Sequence, residues 1–135
     1  MRVVTIGSFD VLHDGHRNLL RFMRDLGRAR IVGVNADDSP ALRGKRLHDN
    51  EQARMVAVQH ALAEILSPAD VVLNHGHGIE LLEDGDLVVV GSEYIGRYPE
   101  QLGTTQEMLD QRGITVAYRP RTPGISSTQI REGLA

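Results

Sequence analysis

Residues 7–20 read GSFDVLHDGHRNLL, directly after the branched apolar run Val3 to Ile6. Beyond them Leu19, Leu20, Met23 and Leu26 repeat at three and four, and Gly27 stands where a helix would stop. A short buried strand, a glycine-flanked turn and an amphipathic helix are the first half of a strand-helix-strand unit. The N-terminus of such a helix has unpaired N–H groups and the positive end of its dipole, so it favours an anion. His13 and His16 straddle that start, where imidazole N–H groups can donate to phosphate oxygens, and Gly7 and Gly15 let the backbone approach a ligand closely. The same residues also admit a plainer reading, in which one histidine caps the helix and the other packs.

The pattern repeats along the chain. Ile31 to Val34, Val71 to Leu73, Leu87 to Val90 and Ile114 to Ala117 are further short apolar runs, and with Val3 to Ile6 they predict strands buried on both faces. Asp49, with Gln52 as a capping partner, precedes a longer helix whose apolar side is Ala53, Val56, Ala57, Ala61, Leu62, Ile65 and Leu66, stopped by Pro68. Shorter helices are predicted at Ile79 to Leu82, Thr105 to Gln111 and Ser126 to Leu134. Strand alternating with helix implies right-handed crossovers and an α/β fold with a mostly parallel sheet. Ligands of such sheets sit beyond the carboxyl ends of the strands, which points to the loops after strands one, two, four and five, including the long segments 35–48 and 92–104.

Length and composition narrow the function classes. One hundred and thirty-five residues, 41% hydrophobic and 24% charged, predict one domain over residues 1–135 with a sizeable core. Fifteen Lys and Arg against 18 Asp and Glu leave a net charge of −3, so a nucleic-acid partner is not expected. The absence of cysteine excludes disulfides, thiolate metal sites and a cysteine nucleophile. No apolar run has a membrane span's length or the form of a signal-peptide core, and the expected location is the cytoplasm.

A second anion cradle is legible at Arg121 to Glu132, RTPGISSTQIRE, where Ser126, Ser127 and Thr128 begin the last predicted helix and Arg121 adds a permanent positive fork. Capping alone explains one such cluster; two anion sites, each at a strand-to-helix junction and at opposite ends of the chain, are hard to explain by capping twice over. A basic loop, Leu42 to Arg46, LRGKR, follows the second strand. His75-Gly76-His77, without a third ligand at metal spacing, reads as a polar loop.

Through HxGH, the basic loop, GSEY after strand four and PRTPGISST, the chain resembles the nucleotidylyltransferases, most of all the small cytidylyltransferases of the glycerol-3-phosphate type. The resemblance implies a Rossmann-like three-layer sandwich whose five-stranded parallel sheet has the order 3-2-1-4-5. It also implies a reaction: a phosphate monoester attacks the α-phosphorus of a nucleoside triphosphate and displaces pyrophosphate. His13, His16, Lys45 and Arg121 would be catalytic. The nucleotide would touch Gly7, Ser8, Phe9, Gly15, Gly91, Glu93, Thr122, Ile125, Ser126, Ser127 and Thr128, besides the two histidines and Arg121. Asp37, Arg43 and Lys45 would serve the acceptor, and Asp10 is the candidate ligand of a Mg2+ or other divalent cation, although an Asp beside a turn also pins backbone N–H groups.

The expected partners are a nucleoside triphosphate, CTP ahead of ATP, and a small phosphorylated acceptor such as glycerol 3-phosphate, with a homodimer joined around Leu66 to Val72. An ATP-dependent adenylyltransferase acting on a sugar, flavin or pantetheine phosphate is the rival enzyme, and a non-catalytic nucleotide-binding module the rival of another class. One departure stands out. Relatives often carry RYVDEV before the third strand, an arginine associated with the triphosphate and the subunit contact, and this chain has LSPADVV.

Overall fold

The computed structural model describes residues 1–27, 29–91 and 94–119. Within them the chain runs β1 (Arg2–Gly7), α1 (Asp14–Asp25), β2 (Ala29–Asn35), α2 (Glu51–Glu64), β3 (Asp70–Asn74), β4 (Leu87–Gly91), α3 (Gln106–Gln111) and β5 (Thr115–Arg119). Single 3-10 turns at Pro40–Leu42, Ile79–Leu81 and Glu100–Leu102 fill the connections. The strands form a five-stranded parallel sheet of order β3-β2-β1-β4-β5, as expected.

That order makes β1 the centre, with β2 on one side and β4 on the other, so the turn after β1 opens at the sheet's switch point. Two apolar layers sandwich the sheet. One packs Val3, Val32, Val34 and Val89 against Leu20 and Met23 of α1 and Val58 and Leu62 of α2. The other sets Val4, Val88 and Val90 against Leu102, Leu109 of α3 and Ile114. Inside the sheet the Thr5 hydroxyl donates to the Val89 carbonyl at 2.8 Å, so the polar atom within the apolar run is satisfied.

Several expectations are corrected. The strands are not all buried on both faces: β3 and β5 are the sheet's outer strands, and most of their residues keep partial exposure because each has a single strand neighbour. The N-cap of α2 is Asn50, whose side chain accepts from Ala53 N, and not Asp49, whose own N–H is taken by Asp10. The buried face of α2 is also rotated. Ala53 and Val56 face outward and Leu66 is 84% exposed, while Arg54 and Val58 are buried, because Arg54 carries polar partners inside the fold. Residues 79–82 make only a 3-10 turn, Thr105 is the N-cap of α3, and the helix expected at residues 126–134 lies outside the described residues.

Candidate active site

The turn from β1 into α1 is built from residues in unusual conformations. Phe9 and Val11 have φ of 52° and 50°, a left-handed region that costs most for a β-branched residue such as Val11. The Phe9 ring folds back under the turn, 4% exposed, into the core layer that α1 covers. A Cβ on Gly7 would lie 3.3 Å from that ring, so glycine allows the close packing. Phe9 therefore meets His16 from below, with ring centroids 5.4 Å apart, and only its backbone remains for a ligand.

His13 and His16 are brought together. His13 is the N-cap of α1: its Nδ1 accepts from Gly15 N at 3.0 Å, and His16 Nδ1 accepts from His13 N at 3.2 Å. The pair thus forms a reciprocal capping box made of imidazoles, with rings stacked 4.0 Å apart at 20°. Capping and ligand binding do not compete here. A ring nitrogen that accepts carries no hydrogen, so each neutral imidazole holds its proton on Nε2, the nitrogen the cap leaves unused. Burial lowers the His16 pKa to about 3, helped by His13 and Arg17 and opposed by Asp10, so His16 is a neutral donor at physiological pH.

Asp10 ties this turn to the basic loop. Its buried carboxylate accepts from His48 N at 2.8 Å and Asp49 N at 3.0 Å. Asp37 N donates to Glu51 at 2.8 Å and Glu51 N donates to Asp37 at 3.1 Å, which closes the base of residues 37–51. Arg43 and Gly44, at φ of 52° and 75°, turn the tip, and Arg43, Lys45 and Arg46 are exposed there. Among the described residues neither the Arg43 nor the Lys45 side chain is hydrogen-bonded to the histidines, and Asp10 links the histidine turn to the loop.

Arg54, absent from the sequence reading, organises the whole edge. It is 1% exposed and donates to the carbonyls of Ser8 at 2.9 Å, Asn35 at 2.6 Å and Asp49 at 3.0 Å, and to Asp37 Oδ1 at 2.8 Å. One guanidinium thereby fixes the ends of β1 and β2 and the base of the basic loop. Next to it the Asn35 amide donates to the Ser8 hydroxyl at 3.3 Å and accepts from Asn74 at 2.9 Å, a polar ladder across the carboxyl ends of β1, β2 and β3. The sequence signal was faint: Arg54 begins the stripe Arg54, Val58, Ala61, Leu62, Ile65, as a lone charge in apolar company.

A divalent cation at Asp10 would meet a carboxylate that already serves the base of the basic loop. Both Asp10 oxygens accept backbone N–H groups, the Asp37 oxygens face Arg54 and Glu51 N, and among the described residues no three His, Asp or Glu side chains are placed to share a metal. No step is therefore routed through it. His75 pairs with Asp38 at 2.9 Å, which keeps His75-Gly76-His77 a polar loop. Gly91 ends β4, and Gly15 lies in the first turn of α1, its N–H spent on His13. Glu93, Arg121, Thr122, Ile125, Ser126, Ser127 and Thr128 lie outside the described residues.

Residues 4–133 match the family model of cytidylyltransferase-like proteins. The chain belongs to that family. This nucleotidyltransferase is 30% identical to the glycerol-3-phosphate cytidylyltransferase of Staphylococcus aureus, over 98% of this chain and 94% of that one. It is 44% identical to the bifunctional protein HldE of Shewanella sediminis over 98% of this chain, which spans 27% of that longer protein. Among solved structures, the lipopolysaccharide core biosynthesis protein of Thermoplasma volcanium superposes with a TM-score of 0.62 at 26% identity, covering 90% of the transferase and 96% of that chain. Among the described residues no helix is long and apolar enough to cross a membrane.

Proposed function

We propose that the protein transfers CMP from CTP to a small phosphate monoester, glycerol 3-phosphate being the first candidate, and releases pyrophosphate. The observation that carries this reading is the stacked imidazole pair at the start of α1, held by its Nδ1 atoms and kept neutral at His16. The acceptor phosphate is ionised and needs no base. One of its oxygens forms the new bond to the α-phosphorus, the bond to the bridging oxygen breaks, and pyrophosphate departs with that electron pair. What the protein must supply is alignment and donors for the oxygen charge that grows meanwhile. His13 and His16 would donate to the α-phosphate, Lys45 and Arg43 would screen the approaching phosphates from each other, and Arg121 with Ser126 and Ser127 would hold the leaving end.

A homodimer belongs to the same reading. It is supported by Leu66, by the outer strand β3 and by a groove that Leu62, Leu66, Pro68, Ala69 and Val71 line at the amino end of that strand, away from the site. The function is tested by pyrophosphate release with each of the four triphosphates against glycerol 3-phosphate and a panel of sugar and amino-alcohol phosphates. CTP with a glycerol- or polyol-type acceptor is the expected fastest pair. ATP, the nucleotide of the rival adenylyltransferase reading, is the informative competitor, and faster turnover with ATP across the panel would refute the CTP assignment. Binding without turnover would indicate a sensor.

A further inference from the structure

The arginines among the described residues divide by whether they have a partner. Arg2 pairs with Asp86, Arg24 with Asp25, Arg54 with Asp37 and Arg112 with Asp84. Arg17 pairs with Asp14, Arg21 donates to Asn18, Arg30 to the Pro68 carbonyl, and Arg119 is also engaged. Arg43, Arg46 and Arg97 differ: among the described residues their guanidinium groups meet no carboxylate and no hydrogen-bond acceptor. All three lie on loops that follow strand carboxyl ends, Arg43 and Arg46 after β2 and Arg97 after β4. Since β1 lies between β2 and β4, these loops flank the histidine turn from opposite sides.

Arg97 is also oriented. Its guanidinium carbon lies 5.9 Å from the Tyr94 ring centroid, and that ring meets Tyr98 edge-on at 5.9 Å. Tyr94 and Tyr98 in turn pack on the apolar layer of Leu102 and Leu109. A guanidinium over a ring satisfies its face and leaves its N–H edge for a planar or tetrahedral oxyanion. In-line phosphoryl transfer brings one phosphate in as another leaves on the opposite side, which calls for cations on both flanks of the donor pair. The loop after β2 supplies one flank.

Resting on the transferase reading, we propose that Arg97 binds a phosphate oxyanion of one of the two reacting substrates, with Tyr94 as the ring that positions it. The test is steady-state kinetics on the full chain, with CTP varied at saturating glycerol 3-phosphate and then the reverse, or with whichever pair the parent turns over best. Arg97→Gln is expected to raise one of the two KM values by roughly 10-fold or more, the loss typical of a charge-assisted hydrogen bond. The substrate whose KM moves identifies the phosphate.

Arg97→Lys should recover only part of that loss, because an ammonium neither stacks flat nor offers a fork. Tyr94→Leu should move the same KM in the same direction by less. The Arg97→Gln melting temperature should match the parent's, since the side chain is exposed. Unchanged KM values for both substrates in Arg97→Gln overturn the proposal whatever happens to kcat. A parent protein that releases no pyrophosphate from any triphosphate overturns the transferase reading itself, and that control precedes any comparison of variants.

Discussion

At the scale of single residues, the histidine pair does two jobs with different nitrogens, and substitutions can separate them. His13→Asn keeps a side-chain acceptor at the N-cap and removes the imidazole, so stability should stay near the parent's while kcat falls by roughly 10-fold or more. His16→Ala removes the half-buried donor, and kcat should fall by roughly 10²-fold, the loss typical of one preorganised donor. A His16→Ala protein that melts early yet turns over normally per folded molecule would strike His16 from the chemistry. The pH behaviour follows from the same burial. The folded pKa of His16, about 3, lies below the ordinary 6.5, so the unfolded chain binds a proton that the folded chain refuses. Its neutral form contributes fully above about pH 6.5, and stability is lost as pH falls from there towards 3. Ring resonances of His16, followed by NMR from pH 8 to 5, should not titrate; a midpoint near 6.5 would contradict the neutral-donor role. Both histidines were legible in the sequence because spacing and helix start coincide, whereas the division of labour between Nδ1 and Nε2 is a matter of rotamer and is written nowhere in HxGH.

At the scale of elements, α2 shows what sequence pattern reads well and what it misses. Its length and its stop before Pro68 follow from local chemistry. Its rotation does not, because the phase is set by acceptors on three other segments: the carbonyls of Ser8, Asn35 and Asp49. Hydropathy counts Arg54 as a surface residue and turns the helix to bury Val56, which is 47% exposed. Asp10 and Asp37 were similarly read as ligands of substrate or cation, yet their partners are loop N–H groups and Arg54, so their visible task is to hold the basic loop closed at its base. Truncating Arg54 to Leu would leave three carbonyls and the Asp37 carboxylate without their donor, an expected cost of about 3–5 kcal/mol in urea unfolding. Arg54→Lys should recover little of it, because one ammonium cannot span four acceptors held in a fixed fork. A loss below about 1 kcal/mol for Arg54→Leu would show that the edge is held by the sheet alone.

At the scale of the whole molecule, the candidate site and the proposed subunit contact lie at opposite ends of the strands. The unspent cations and the histidine pair gather at the carboxyl ends, while the apolar groove opens where the chain enters β3. Leu66 carries two costs at once: its φ is 55°, unfavourable for a side chain with a Cβ, and the side chain is 84% exposed. Beside it Pro68 and Ala69 present small apolar surface, and β3 has an edge with no strand neighbour. A second copy of the chain, related by a two-fold axis, would set each Leu66 into its partner's groove and offset both costs through self-complementary burial. The protein should therefore sediment as a dimer at micromolar concentration. Leu66→Glu would place a charge in that contact and should give monomers, and because the side chain is solvent-facing in the single chain, the monomer should stay folded. A parent protein that sediments only as a monomer would refute this assembly, and a Leu66→Glu protein that remains dimeric would move the contact elsewhere on the surface.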